Sequence, residues 1–286
     1  MPLVNMRAML NKARDEQYAI GAFEFWSLDS AQAVVETAAE LGLPVILQAG
    51  LLECGFAGGI KNLYKIGKMV ADEFPIPVAL HLDHAEDYDC VVSALEAGFT
   101  SVMIDASSMP FEDNVRITHR VVEAARPYGA SVEAELGKLA GSEAAISVSD
   151  EEAAQTDPAE AKKFVEQTGI DALAVAIGTV HGFYSFTPKI NISRLKEIAA
   201  KVDIPLVLHG GSGTPDDKVE EAIYNGIAKV NICTEFVAAY GTQYIKTQGL
   251  GFKYSVPSLF GPSKQAGKAL VKAKMELFAR RGARNN

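Results

Sequence analysis

Eight short apolar runs recur along the chain, each followed by a stretch in which apolar residues return at helical spacing. They are Y-A-I-G-A-F from Tyr18, P-V-I-L-Q-A from Pro44, P-V-A-L-H-L from Pro77, S-V-M-I-D from Ser101, S-V-E-A-E-L from Ser131, A-L-A-V-A-I from Ala172, P-L-V-L-H from Pro205 and I-A-K-V-N-I from Ile227. Runs that are continuously apolar rather than alternating belong to strands covered on both faces. The intervening segment from Asp29 opens on a helix-capping residue and stops at Gly42, the start and stop chemistry of an amphipathic helix. Eight strand-then-helix units predict a closed (β/α)8 barrel, read as one domain over residues 1–286. Two stretches break the rhythm. Residues 139–157 make a long connection after the fifth strand, expected to be a mobile loop over the site. Residues 249–286 are expected as a helical extension, its last helix starting at Ser263 and carrying Lys264, Lys268, Lys272, Lys274, Arg280 and Arg281 on a solvated face.

Composition agrees with this picture. At 48% hydrophobic and 22% charged, the 286 residues can bury a sizeable core. A formal charge of −9 argues against nucleic-acid binding. Cys54, Cys90 and Cys233 form no C-x-x-C pair, which suits a reducing compartment. The N-terminal M-P-L-V-N-M-R-A-M-L lacks a signal-peptide core, and no run reaches the roughly 18 to 20 apolar residues of a membrane span. The expectation is a cytoplasmic protein with no membrane partner.

On this fold, chemistry gathers where the strands end, and polar residues stand there. The third strand closes on Asp83 and His84, the fourth on Asp105, the fifth on Glu133 and Glu135, the seventh on His209 and the eighth on Asn231, while His181 follows the sixth by a short turn. A single histidine in such a place is ordinarily a hydrogen-bonded core residue. Three at matching strand ends, His84, His181 and His209, make the ligand set of a catalytic Zn²⁺ with an open position. His81, inside the third strand, reads as core, and His119, in mid-helix, as surface. The turn H-G-G-S-G at 209–213, next to V-N-I-C-T-E at 230–235, offers backbone N–H groups where barrels of this kind hold phosphate. Gly182 lets a ligand approach closely. Glu143, in the long loop, could act as a carboxylate that closes over a metal-bound substrate.

As a set, G-A-F, A-L-H-L-D-H, S-V-M-I-D, S-V-E-A-E-L-G, D-P-A-E-A-K-K-F-V-E-Q-T-G, L-A-V-A-I-G-T-V-H-G, I-P-L-V-L-H-G-G-S-G and K-V-N-I-C-T-E resemble the zinc-dependent class II aldolases of the fructose-bisphosphate and tagatose-bisphosphate branch. The resemblance runs over nearly the whole chain. It implies a (β/α)8 fold, zinc on His84, His181 and His209, and reversible cleavage of a ketose phosphate to dihydroxyacetone phosphate and an aldehyde. It gives Asp83 the C4 hydroxyl proton, Glu143 the proton at C3, and Asn231 the support of charge developing on the enediolate. Gly182, Gly210, Gly211, Ser212, Cys233 and Thr234 match positions around the C1 phosphate, with room for a monovalent cation nearby. Asp105 and Glu135 match auxiliary metal carboxylates. A homodimer or homotetramer is also implied.

The chain departs from this pattern at the far end of the substrate. Relatives that accept a 6-phosphate have Asn where this chain has Glu24, Ser or Thr where it has Leu51, and Arg where V-P-S supplies Ser258. A guanidinium forks a phosphate, and a glutamate repels one. These losses suggest an unphosphorylated aldehyde. The alternatives are an ordinary fructose- or tagatose-1,6-bisphosphate aldolase, a barrel metallohydrolase, and a sugar-phosphate-binding protein on a retired barrel. The metallohydrolase reading lacks an H-x-H at the first strand, which reads G-A-F-E-F.

Overall fold

Each of the eight apolar runs forms a strand in the computed structural model, which describes residues 3–137, 140–143, 146–148, 155–182, 188–251 and 255–280. In chain order the strands are β1 (Ile20–Glu24), β2 (Val45–Ala49), β3 (Val78–Ala85), β4 (Ser101–Ile104), β5 (Ser131–Leu136), β6 (Ala140–Glu143), β7 (Ile146–Val148), β8 (Ala172–Val175), β9 (Val180–His181), β10 (Leu206–Leu208) and β11 (Ile227–Ile232). The helices are α1 (Arg7–Asp15), α2 (Leu28–Leu41), α3 (Leu51–Phe56), α4 (Ile60–Asp72), α5 (Tyr88–Ala97), α6 (Phe111–Ala125), α7 (Pro158–Thr168), α8 (Ile192–Ala199), α9 (Asp216–Tyr224), α10 (Thr234–Gly249) and α11 (Val256–Phe278). A closed barrel runs in the order β1-β11-β10-β8-β5-β4-β3-β2. Its neighbours pair in parallel.

Side chains sort by face. Phe23, Leu47, Leu80, Val102, Val132, Leu173, Leu208 and Val230 point outward into the layer between strands and helices. Ile20, Ala22, Ile46, Ala79, Ala172, Ala174, Val207 and Ala228 point inward, where Met6, Met9, Leu10 and Ala13 of the N-terminal segment join them. α1 therefore plugs the barrel at the end where the strands begin, and the opposite mouth is left for chemistry.

The connection expected as a mobile loop at 139–157 contains β6 and β7, which form a small second sheet with β9. The rest of that stretch up to residue 154 lies outside the described residues. The terminal helix departs from expectation at its start. It begins at Val256, not Ser263, because the Ser255 side chain accepts from Ser258 N–H and Pro257 occupies the first turn. Nor is its basic face simply solvated. Lys264 and Lys268 both reach Glu36 on α2, at 2.8 and 3.1 Å, and Lys274, 8% exposed, lies 3.0 Å from Glu235. Arg281 lies outside the described residues. Among these residues no helix is long and apolar enough to cross a membrane.

Candidate active site

Adjacent residues on a regular strand face opposite ways, so Asp83 and His84 should not share a site. A bulge resolves the conflict. Leu82 pairs with Val102 and Ala85 with Ile104, so Asp83 and His84 together oppose Met103 alone. His84 takes φ +44°, a left-handed value rare outside glycine. Both side chains consequently serve the barrel mouth.

Carboxylates orient the two candidate ligand histidines whose side chains are described. His84 Nδ1 is 2.8 Å from Asp105 Oδ2, so its ligand atom would be Nε2. His209 Nε2 is 2.9 Å from Glu133 Oε1 and Nδ1 is 3.4 Å from Glu135 Oε2, so its ligand atom would be Nδ1. Their ring centroids are 4.6 Å apart. One donor atom from each of Asp83, His84 and His209 falls within 4.8 Å of the others, and His84, Asp105 and Glu135 form an overlapping group. Burial lowers the pKa of His209, beyond what its hydrogen bond to Glu133 restores, and the neutral ring is the form that ligates a metal. Imidazoles turned by carboxylates over a buried donor cluster fit a zinc ion.

Asp83 is held from three sides. Gln48 Nε2 donates to its Oδ2 at 3.0 Å, Asn231 Nδ2 donates to the same oxygen at 3.1 Å, and His81 Nε2 lies 3.2 Å from Oδ1. Burial would raise this carboxyl, but His84, Lys229 and the close His81 imidazole outweigh it and leave the pKa well below the usual range. Glu133 behaves alike: against burial, Lys229 and His209 bring it down to about 2. Gln48 Oε1 and Asn231 Oδ1 are buried without a hydrogen-bond partner among the described residues, which marks them as acceptors for a ligand.

Across the mouth, a Cβ on Gly210 (φ +64°) would sit 2.4 Å from the Val180 carbonyl oxygen, and one on Gly211 would sit 2.7 Å from that of Asn231. Only glycine fits this close turn. Ser212 Oγ accepts from Glu235 N–H at 3.2 Å, tying the turn to the start of α10, where Cys233 is the capping residue and Thr234 the first helical one. These features form one concave wall ending at a helix N-terminus, suited to an anion.

A model of the family "Fructose-bisphosphate aldolase class-II" matches residues 4–283. The chain belongs to the class II fructose-bisphosphate aldolase family. It is thus an aldehyde-lyase on a (β/α)8 barrel. A fructose-bisphosphate aldolase of Thermus caldophilus is 43% identical over 300 positions, covering 96% of this chain and 98% of the relative. The YdjI aldolase of Escherichia coli K12 superposes with a TM-score of 0.86 at 34% identity, covering 98% of both chains. The fructose-bisphosphate aldolase of Campylobacter jejuni, at 21% identity, shares the fold (TM-score 0.82, 97% and 95% covered).

As a class II aldolase the chain brings most of its expected site residues to one mouth. The His181 and Glu143 side chains lie outside the described residues. The strands that carry them are neighbours: Gly141 of β6 pairs with His181 of β9, and Glu143, two residues on, pairs with Ile146 of β7. Gly182 follows at φ +89°. Glu24 is 3% exposed, accepts from Gly50 N–H at 2.9 Å and from Gln48 at 3.2 Å, and so stands beside Leu51. Ser258 is not brought to them among the described contacts; it helps to cap α11. Trp26 packs edge-on against Tyr240 at 5.2 Å and against Phe236. His119 is exposed, and His81 is buried against Ser101 and Asp83. Two residues escaped the sequence reading. Gln48 and Lys229 are the polar interruptions in V-I-L-Q-A and I-A-K-V-N-I; for Gln48, two residues after the inward Ile46, the phase is the signal, whereas Lys229 directly follows the inward Ala228 and is turned in by a bulge.

Proposed function

We propose that this class II aldolase cleaves a ketose 1-phosphate, reversibly, to dihydroxyacetone phosphate and an unphosphorylated, hydroxylated aldehyde. The observation that carries the reading is the chain Glu24–Gln48–Asp83. A buried carboxylate, not a cation, sits one side chain away from the base, where a distal phosphate would be repelled. Leu51, next to it, offers no hydroxyl. The unpaired Gln48 Oε1 supports a hydroxyl-bearing aldehyde.

His84, His181 and His209 would hold the zinc, which supplies Lewis acidity at the substrate carbonyl. In cleavage, Asp83 takes the C4 hydroxyl proton as the C3–C4 bond breaks, the electron pair staying with C3. In condensation it returns that proton to the aldehyde oxygen. Asn231, a hydrogen-bond donor to Asp83, would donate to oxygen that gains charge. Glu143 exchanges the proton at C3. Gly182, Gly210, Gly211, Ser212, Cys233 and Thr234 receive the C1 phosphate, with a monovalent cation as its companion. We also infer a homo-oligomer, supported by the exposed apolar residues Tyr244, Ile245, Leu250, Val256 and Phe260 of the last two helices and their connection.

The second reading, an ordinary 1,6-bisphosphate aldolase, is favoured by the 43% identity to the Thermus protein. A coupled assay of dihydroxyacetone phosphate release, with matched ketose 1-phosphates and 1,6-bisphosphates, separates the two. Higher kcat/KM for 1-phosphates is expected; preference for bisphosphates returns the enzyme to the ordinary class.

A further inference from the structure

Lys229 is 0% exposed, and none of the metal-binding, proton-transfer or phosphate-binding roles assigned above falls to it. Its ammonium lies 2.9 Å from Glu133 Oε2 and 3.1 Å from Oε1, gripping both oxygens of a carboxylate that is itself 0% exposed. Glu133 Oε1 in turn meets His209 Nε2 at 2.9 Å. The backbone is specially shaped to bring the lysine inside. Leu206 pairs with Ile227 but Val207 pairs with Lys229, so Ala228 is an extra residue in β11. Ala228 faces the barrel interior and Val230 the outer layer. On an unbroken strand, Ala228 inside would put Lys229 outside among apolar helices. The bulge reverses the phase and turns both Lys229 and Asn231 inward. The same device in β3 turns Asp83 and His84 together to the mouth.

We propose that Lys229 is a positioning residue for the metal: through the Glu133 carboxylate it fixes the His209 ring with Nε2 engaged and Nδ1 presented beside His84. An alkyl side chain would fill a barrel interior at lower desolvation cost than an ammonium. What the ammonium adds is a carboxylate locked by two contacts, and hence a ring with one orientation. Partners of this kind behind a ligating histidine typically change metal affinity by about 10- to 100-fold.

The inference rests on zinc being the resident metal, and its test is arranged so that the two can fail separately. Apo protein is titrated with zinc against a chromophoric chelator, and the cobalt-substituted protein is followed by its visible absorption spectrum. Wild-type protein that takes up no zinc would remove the metal reading itself. With zinc bound by wild type, Lys229→Met is expected to fold, to bind zinc about 10- to 100-fold more weakly, and to show an altered cobalt spectrum. A folded Lys229→Met with wild-type zinc affinity and spectrum overturns the proposal. If that variant does not fold, Lys229→Met/Glu133→Gln removes both charges and is measured instead. Weaker zinc binding by the double variant is expected, and wild-type affinity in it overturns the proposal equally.

Discussion

Asp83 shows how much of one side chain's chemistry is set by its neighbours. Three groups hold it, and its pKa lies well below the ordinary range despite complete burial. Asp83→Asn keeps the shape and the hydrogen-bond partners but cannot accept the C4 proton. Its kcat should fall by about 10²- to 10⁴-fold, while zinc content, read by atomic absorption, stays at the wild-type level. Loss of zinc along with activity would make Asp83 a ligand rather than the base. Glu24→Asn makes the complementary case. It removes the buried charge near the distal pocket, so kcat/KM for a 1,6-bisphosphate should rise relative to that for the 1-phosphate. An unchanged ratio would detach Glu24 from substrate choice. At this scale the sequence was legible where a residue type is rare in its setting: a histidine or aspartate that ends an apolar run is conspicuous. Gln48 and Lys229 were harder to read because their runs continue past them, and because the bulge that turns Lys229 inward leaves no mark in local composition.

Elements were legible in proportion to how far they depend on their own residues. The eight barrel strands are continuous apolar runs, and each is where the pattern puts it. β6, β7 and β9 are two to four residues long and exist by pairing with one another, so no single run announces them. α11 was misread at its start although Ser255 and Pro257 give a capping signature. Its partner face could not be inferred from the helix alone. Burial would raise the Glu36 carboxyl, but hydrogen bonds from Lys264 and Lys268 bring its pKa below the ordinary value. A depressed carboxylate stabilises the folded state at full strength above its unfolded pKa, about 4.3, and this stabilisation is lost as pH falls through the lower folded value. Protection of the α11 amides, taken relative to intrinsic exchange at each pH, should therefore fall as pH drops below about 4.3. Lys264→Ala/Lys268→Ala should show the faster exchange already at neutral pH. Protection in the double variant equal to wild type would mean that apolar packing alone docks the helix.

Over the whole molecule, composition changes along the barrel axis. Where the strands begin, Met6, Met9, Leu10 and Ala13 fill the interior against alanines and β-branched residues. One level up, His81, Ser101, Glu133 and Lys229 are buried and joined by polar contacts. At the mouth stand Asp83, His84, Asp105, Glu135, His209 and Asn231. Stability and chemistry thus occupy opposite ends, separated by a polar layer. That division can be tested by damaging only the apolar end. Leu10 is 1% exposed, and Leu10→Ala removes a buried side chain at a cost of about 2–5 kcal/mol. The melting temperature should drop by several degrees. Because Lys229 and Glu133 lie between this cavity and the proposed metal ligands, the folded variant should keep wild-type zinc affinity and wild-type kcat/KM at a temperature well below its transition. If kcat/KM falls while the protein is still fully folded, strain crosses the polar layer, and the plug formed by α1 takes part in shaping the site.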